Sequence, residues 1–113
     1  MIYFIKILPI NFISFGSFAS VDTKTVTYDN NKFEGLVVQP DNLKQNTPAI
    51  LMIHNWMGVS KETQFQAQRF AELGYIVLAA DVYGKGQRPK DSKEAGQFAT
   101  KYKSDRKLFR KNL

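Results

Sequence analysis

The chain contains no cysteine. That absence removes disulfides, thiolate metal sites and a thiol nucleophile together. Only one histidine is present, His54, so a serine triad confined to this chain would need it as the base. No G-x-S-x-G elbow occurs anywhere, which leaves a nucleophilic serine without the sharp strand-to-helix turn that would expose it. A lone histidine with no cysteine also gives metal-ligand clusters no support, and no cofactor is expected. There is no internal repeat and no low-complexity tract.

What is present is globular in kind. Apolar residues make up 43% of the 113, among them nine Phe and five Tyr, enough for a real core. The length suffices for one small domain at most, whereas an α/β domain commonly runs to about 200 residues or more. The net charge of +6 is unevenly placed. Lys101, Lys103, Arg106, Lys107, Arg110 and Lys111 stand against Asp105 alone, while residues 20 to 100 carry nine basic and nine acidic side chains. The body is therefore neutral, and its charge does not point to nucleic acid. The basic tail interleaves with Phe98, Tyr102, Leu108 and Phe109, the pattern of a solvated helix face.

Residues 1–19 contain one Lys and no acid, an apolar middle, and Ser17 and Ala19 at the spacing of a cleavage site. They read as a secretory signal peptide, with a mature chain starting near Ser20 and working in the periplasm or outside the cell. A membrane anchor is disfavoured because Pro9 and Asn11 interrupt the apolar run, so no stable membrane insertion is expected after cleavage. An N-terminal strand is the remaining reading of this segment.

From Thr23 to Tyr28 polar and apolar residues alternate, Asp29-Asn30-Asn31 supplies turn chemistry, and Lys32 to Gln39 resumes the alternation before Pro40. This pattern predicts a β-hairpin. A polar connection, residues 41–48, leads to two continuously apolar runs, Ala49–Ile53 and Tyr75–Ala80, each expected as a strand buried on both faces. Between them Ser60 can cap a helix whose stripe would be Ala67, Phe70 and Ala71, with Gly74 at its C-terminal end. Strand, helix and strand in this order predict a βαβ unit with parallel strands and a right-handed crossover. Beyond Asp91 the pattern is helical in two pieces that divide near Ser104.

Ligands of open α/β sheets bind beyond the carboxyl ends of the strands, which directs attention to His54–Gly58 and to Asp81–Gly86. The first loop leads into a helix N-terminus, where unpaired backbone N–H groups can stabilise an oxyanion, at Asn55 or Trp56. The plainer reading is that Trp56 and Met57 cover the end of the core while Gly58 lets the chain turn. His54 follows directly on a strand and reads as a residue that orients the loop. In the second loop Pro89 replaces the third glycine of a G-x-G-x-x-G pattern, which disfavours a dinucleotide site. Asp81 is placed to hold its loop by accepting backbone N–H bonds, and Lys85 and Arg88 could meet an anionic substrate.

The segments AILMIHNWMG and RFAELGYIVLAADVYGKGQRP resemble the dienelactone hydrolase family of α/β hydrolases over about residues 24 to 113. They join an H-x-W-x-G loop, a helix ending in L-G-Y and a D-x-Y-G-K-G turn in the family's order. The resemblance implies an α/β-hydrolase fold, of which this chain is the N-terminal part from residue 20 onward. It also implies hydrolysis of small-molecule esters or lactones by nucleophilic acyl transfer, without a cofactor. Members use a cysteine or serine nucleophile with a later Asp and His, and this chain has no counterpart of the three. The resemblance makes the Trp56 backbone N–H one of two oxyanion donors, the other following the nucleophile. Lys85 falls near an arginine that holds substrate carboxylate in the namesake enzymes, although lysine lacks the bidentate geometry. Asn55 replaces a glutamate that pairs with the thiol. The expectation is a fragment that is inactive alone. Two other readings stand beside it: a non-catalytic protein that binds a partner through its open sheet edge and basic tail, and a decayed gene product.

Overall fold

The computed structural model describes residues 20–113. The expected signal peptide, 1–19, lies outside the described residues. The first two strands, β1 (Val21–Tyr28) and β2 (Phe33–Pro40), pair antiparallel along their whole length, Val21 opposite Pro40 and Tyr28 opposite Phe33. Their turn places Asp29, Asn30 and Asn31 at φ of 48°, 52° and 67°, closed by Lys32 N–H donating to the Asp29 carbonyl at 3.1 Å. Asp and Asn tolerate this left-handed region best among non-glycine residues, so the three-residue Asx run itself selects the hairpin.

Strand β3 (Ala49–Ile53), helix α1 (Lys61–Glu72) and strand β4 (Ile76–Ala80) form the βαβ unit, with β3 and β4 parallel neighbours. Strand β4 also pairs antiparallel with β2, giving the order β1-β2-β4-β3. Gly35 makes that junction close: a Cβ there would lie 2.5 Å from the Ala79 carbonyl oxygen.

Helix α1 starts at Ser60, whose hydroxyl accepts from Thr63 N–H while the Thr63 hydroxyl accepts from Ser60 N–H, a reciprocal capping box. It ends in a Schellman motif, with Gly74 at φ 100° donating to the Ala71 carbonyl at 2.9 Å and Tyr75 N–H to the Phe70 carbonyl at 3.3 Å. The buried line along α1 is Thr63, Ala67 and Ala71. Phe70, expected on that stripe, is instead 41% exposed. A line of small side chains at intervals of four lets the helix sit close to the sheet, and a bulky ring one position away is turned to its margin. Ala67, Ala71, Val38 and Val77 form the core beneath α1, flanked by Val21, Met52 and Tyr75.

Strand β3 departs from the sequence expectation. It alternates exposed and half-buried residues, with Leu51 56% and Ile53 38% exposed. Among the described residues β3 pairs with β4 alone, and an edge strand covered on one face cannot bury a continuously apolar run. Helices α2 (Ser92–Ser104) and α3 (Arg106–Lys111) divide at Asp105, which caps both. Their apolar residues Phe98, Tyr102, Leu108 and Phe109 gather on Val82 and Tyr83, forming a second core just past the end of β4. Among the described residues no helix is long and apolar enough to cross a membrane.

Candidate functional site

The carboxyl ends of the parallel strands β3 and β4 release two loops side by side, tied to each other and to the hairpin by side-chain hydrogen bonds. Asp81, fully buried, is the centre of the second loop. Its Oδ1 accepts the N–H groups of Tyr83 and Gly84, both at 3.0 Å, and its Oδ2 accepts that of Glu34 at 3.0 Å. Arg88 stands 3.5 Å from Oδ1. The Tyr28 hydroxyl accepts Asp81 N–H at 2.7 Å and donates to the Asp81 carbonyl at 3.1 Å. The hairpin reaches β4 in this way because Gly35 lets the two strands approach, a Cβ there meeting the Ala79 carbonyl oxygen at 2.5 Å. Asp81 therefore does what its position suggested and holds the loop through backbone donors.

Arg88 faces backbone carbonyls. Its guanidinium donates to the carbonyls of Val59 at 3.0 Å, Glu34 at 3.0 Å, Gln87 at 3.2 Å and Gly84 at 3.3 Å, which commits the fork to tying three segments together. Lys85 turns back toward the hairpin, its Nζ donating to Asn31 Oδ1 at 3.1 Å and lying 3.9 Å from Glu34.

The first loop is held as tightly. Asn55 Oδ1 accepts Met57 N–H at 2.9 Å, its Nδ2 donates to Glu62 at 3.1 Å, and its carbonyl accepts Gly58 N–H at 3.1 Å. The Thr63 hydroxyl donates to the Gly58 carbonyl at 3.0 Å, joining the loop to α1. The Tyr83 hydroxyl donates to the Trp56 carbonyl at 3.0 Å. Burial raises the pKa of Tyr83, with neighbouring Tyr102 adding to the effect, so this hydroxyl keeps its proton at neutral pH. His54 joins the two loops: Nδ1–H donates to the Asn55 carbonyl at 2.7 Å and Nε2 accepts Val82 N–H at 3.1 Å. Both partners have fixed roles, so the imidazole is the neutral Nδ1–H tautomer.

Among the described residues the backbone N–H groups of Asn55, Trp56 and Val59 are the unbonded donors of this loop, and that of Trp56 belongs to a residue at the cavity. The Trp56 side chain is 48% exposed, so it does not seal the core. It lines a cavity of about 640 Å³ together with His54, Asn55, Tyr83, Tyr102 and Phe109. Trp56 and Asn55 are thus brought together at this cavity, and Lys85 is not among the residues that line it. The cavity's other wall, from α2 and α3, includes Lys103 and Arg106. The sequence alone presents those cations as a solvated helix face or as a partner-binding tail, not as part of a cavity wall. The alternation of Phe98, Tyr102 and Phe109 with the basic residues was the available signal, because it gives α2 and α3 an apolar side that had to pack somewhere. Among the described residues no group of three or more His, Asp or Glu is placed to hold a metal ion.

Comparison with known proteins agrees with this architecture. The Escherichia coli hydrolase fragment YghX is 33% identical over 52 residues, 46% of this chain and 44% of that protein. Two solved structures superpose with fold-level agreement. One, m3DLH, has a TM-score of 0.71 at 21% identity, covering 81% of this chain and 40% of its own. The other, a dienelactone hydrolase-like promiscuous phosphotriesterase from metagenomic libraries, has a TM-score of 0.69 at 22% identity, covering 78% and 37%. The chain thus spans less than half the length of each of these relatives. The sequence profile of the dienelactone hydrolase family matches residues 33–112, from the start of β2 to the end of α3, and the chain belongs to that family of hydrolases.

Proposed function

We propose that this chain forms the oxyanion-binding side of a hydrolase of carboxylic esters or lactones, acting by nucleophilic acyl transfer, with Trp56 N–H as one of the two donors. The observation that carries the reading is the unbonded N–H of Trp56, a residue that lines an apolar cavity, in a loop whose carbonyls at Asn55 and Trp56 and N–H groups at Met57 and Gly58 are held. Such a donor is useful because it is oriented before charge develops and needs no reorganisation when the carbonyl oxygen becomes an oxyanion. The donor sits within the loop itself, ahead of the capped start of α1, so the peptide and not the helix end supplies it. Asn55 acts on the substrate indirectly, by shaping the loop, since both ends of its amide are already bonded. In this reading the nucleophile, acid and base are not among these 113 residues, and the chain alone is inactive. The pattern of residues 1–19 supports action outside the cytoplasm.

The test is made on the hydrolase as isolated from its source, with an activated carboxylic ester, a lactone and an activated phosphotriester as substrates. Replacing Trp56 by Pro removes the N–H, and replacing it by Phe keeps it. The expected result is a loss of about 100- to 1,000-fold in kcat for Trp56→Pro, the range for one oxyanion donor, with Trp56→Phe near the parent. Equal activities of the two variants would overturn the role of Trp56. Turnover of the ester by the purified 113-residue chain would overturn its inactivity. A preference for the phosphotriester would replace the carboxylic-ester assignment.

A further inference from the structure

We infer that His54 is the positioning residue of the Trp56 donor, acting through the one peptide group that joins Asn55 to Trp56; this rests on the oxyanion reading above. The Trp56 N–H and the Asn55 carbonyl belong to the same planar amide. His54 Nδ1–H donates to that carbonyl at 2.7 Å, on the side of the peptide opposite the free N–H. The imidazole is itself anchored by Val82 N–H on Nε2 at 3.1 Å, and the Tyr83 ring packs edge-on against it at 4.6 Å. The same carbonyl also accepts Gly58 N–H at 3.1 Å, so His54, the shorter of the two contacts, shares in fixing the plane of the amide and therefore the direction in which the N–H points. A donor on the carbonyl also polarises the amide, which strengthens its N–H as a donor in turn. The lone histidine thereby contributes without touching substrate, and its use of both ring nitrogens leaves neither free to act as a base.

Protonation interferes with this arrangement. A proton on Nε2 would face the Val82 N–H, setting two donors against each other. The groups around His54 are Asp81, Tyr83 and Arg88 of the β4 loop, Tyr102 and Lys103 of α2, Arg106 of α3 and, through Asn55, Glu62 of α1. Burial is the largest influence and lowers the imidazole pKa; the Asn55 carbonyl and Asp81 oppose it, and Arg88 reinforces it. The neutral, positioning form is therefore complete above the ordinary imidazole range and is lost as pH falls through the lowered value.

The test follows the Trp56 backbone amide by ¹⁵N–¹H correlation spectra of the 113-residue chain. His54→Asn can still donate to the Asn55 carbonyl, whereas His54→Gln can still accept from Val82 but does not restore that donation. The expected result is that the Trp56 amide resonance stays near the parent position in His54→Asn and moves upfield in His54→Gln, with the Val82 amide showing the reverse pattern. A Trp56 resonance unmoved in folded His54→Gln would overturn the inference. The parent chain gives an independent reading: the Trp56 amide should titrate together with the His54 ring protons, and a Trp56 amide indifferent to that titration would also overturn it. Failure of the oxyanion reading looks different, since Trp56→Pro would then keep full turnover even with a Trp56 amide that follows His54.

Discussion

At the scale of single residues, the two loops depend on side chains that serve backbone groups rather than ligands. Asp81 satisfies three N–H donors and faces Arg88 from a fully buried position. Replacing it by Ala would strand those donors and remove the carboxylate beside the guanidinium, which keeps its carbonyl partners. The expected cost is about 3 kcal/mol, carried mainly by the stranded buried donors at about 1–3 kcal/mol each before relaxation, measured as a shift of the urea midpoint at unchanged slope. Asp81→Asn should cost less, because an amide oxygen still accepts from part of the set. This role was legible from the sequence, since a carboxylate at a strand end before a glycine-containing turn has obvious backbone partners. The fate of Lys85 and Arg88 was not. Both look free in a list of residues, and only the folding of the hairpin beside the β4 loop brings Asn31 and Glu34 within reach of them.

Elements show the same division between local and non-local information. The hairpin, α1 with both of its ends, and the break at Asp105 were readable because each is decided by residues within one turn: three Asx residues, Ser60, Gly74, and an Asp that can cap. Gly74→Ala should therefore destabilise by about 1 kcal/mol or more, since the position needs a φ of 100° that alanine adopts poorly. Thermal unfolding of the variant measures this, and an unchanged midpoint would mean that the Schellman end contributes nothing to the folded state. The exposure of β3 was not readable, because an apolar pentapeptide carries no mark of whether its strand will have one neighbour or two. Sheet order is settled by non-local pairing, here by the fit of Gly35 against Ala79, which admits β2 to the far side of β4. The site divides similarly: the Trp56 loop was visible as a motif, while its cavity wall from α2 and α3 required the second core to be seen.

For the molecule as a whole, the side of the sheet that carries Leu51 and Ile53 matters most. An edge strand with exposed apolar residues and unpaired backbone groups is a template for pairing with other chains. Leu51→Lys should accordingly reduce light scattering of the concentrated chain while leaving the free energy of unfolding within about 0.5 kcal/mol of the parent, as for a surface site. A large fall in stability would instead show that Leu51 already packs against this chain. The neutral body and the basic last thirteen residues place the positive charge on α2 and α3, against one wall of the cavity. On the opposite wall stands Trp56, the single tryptophan of the sequence. Half exposed at the cavity, its carbonyl bonded to Tyr83, it is the protein's own optical reporter. Emission colour and quenching by small solutes will register what enters the cavity and whether the loop beneath it holds, with no label added and no other indole to obscure the signal.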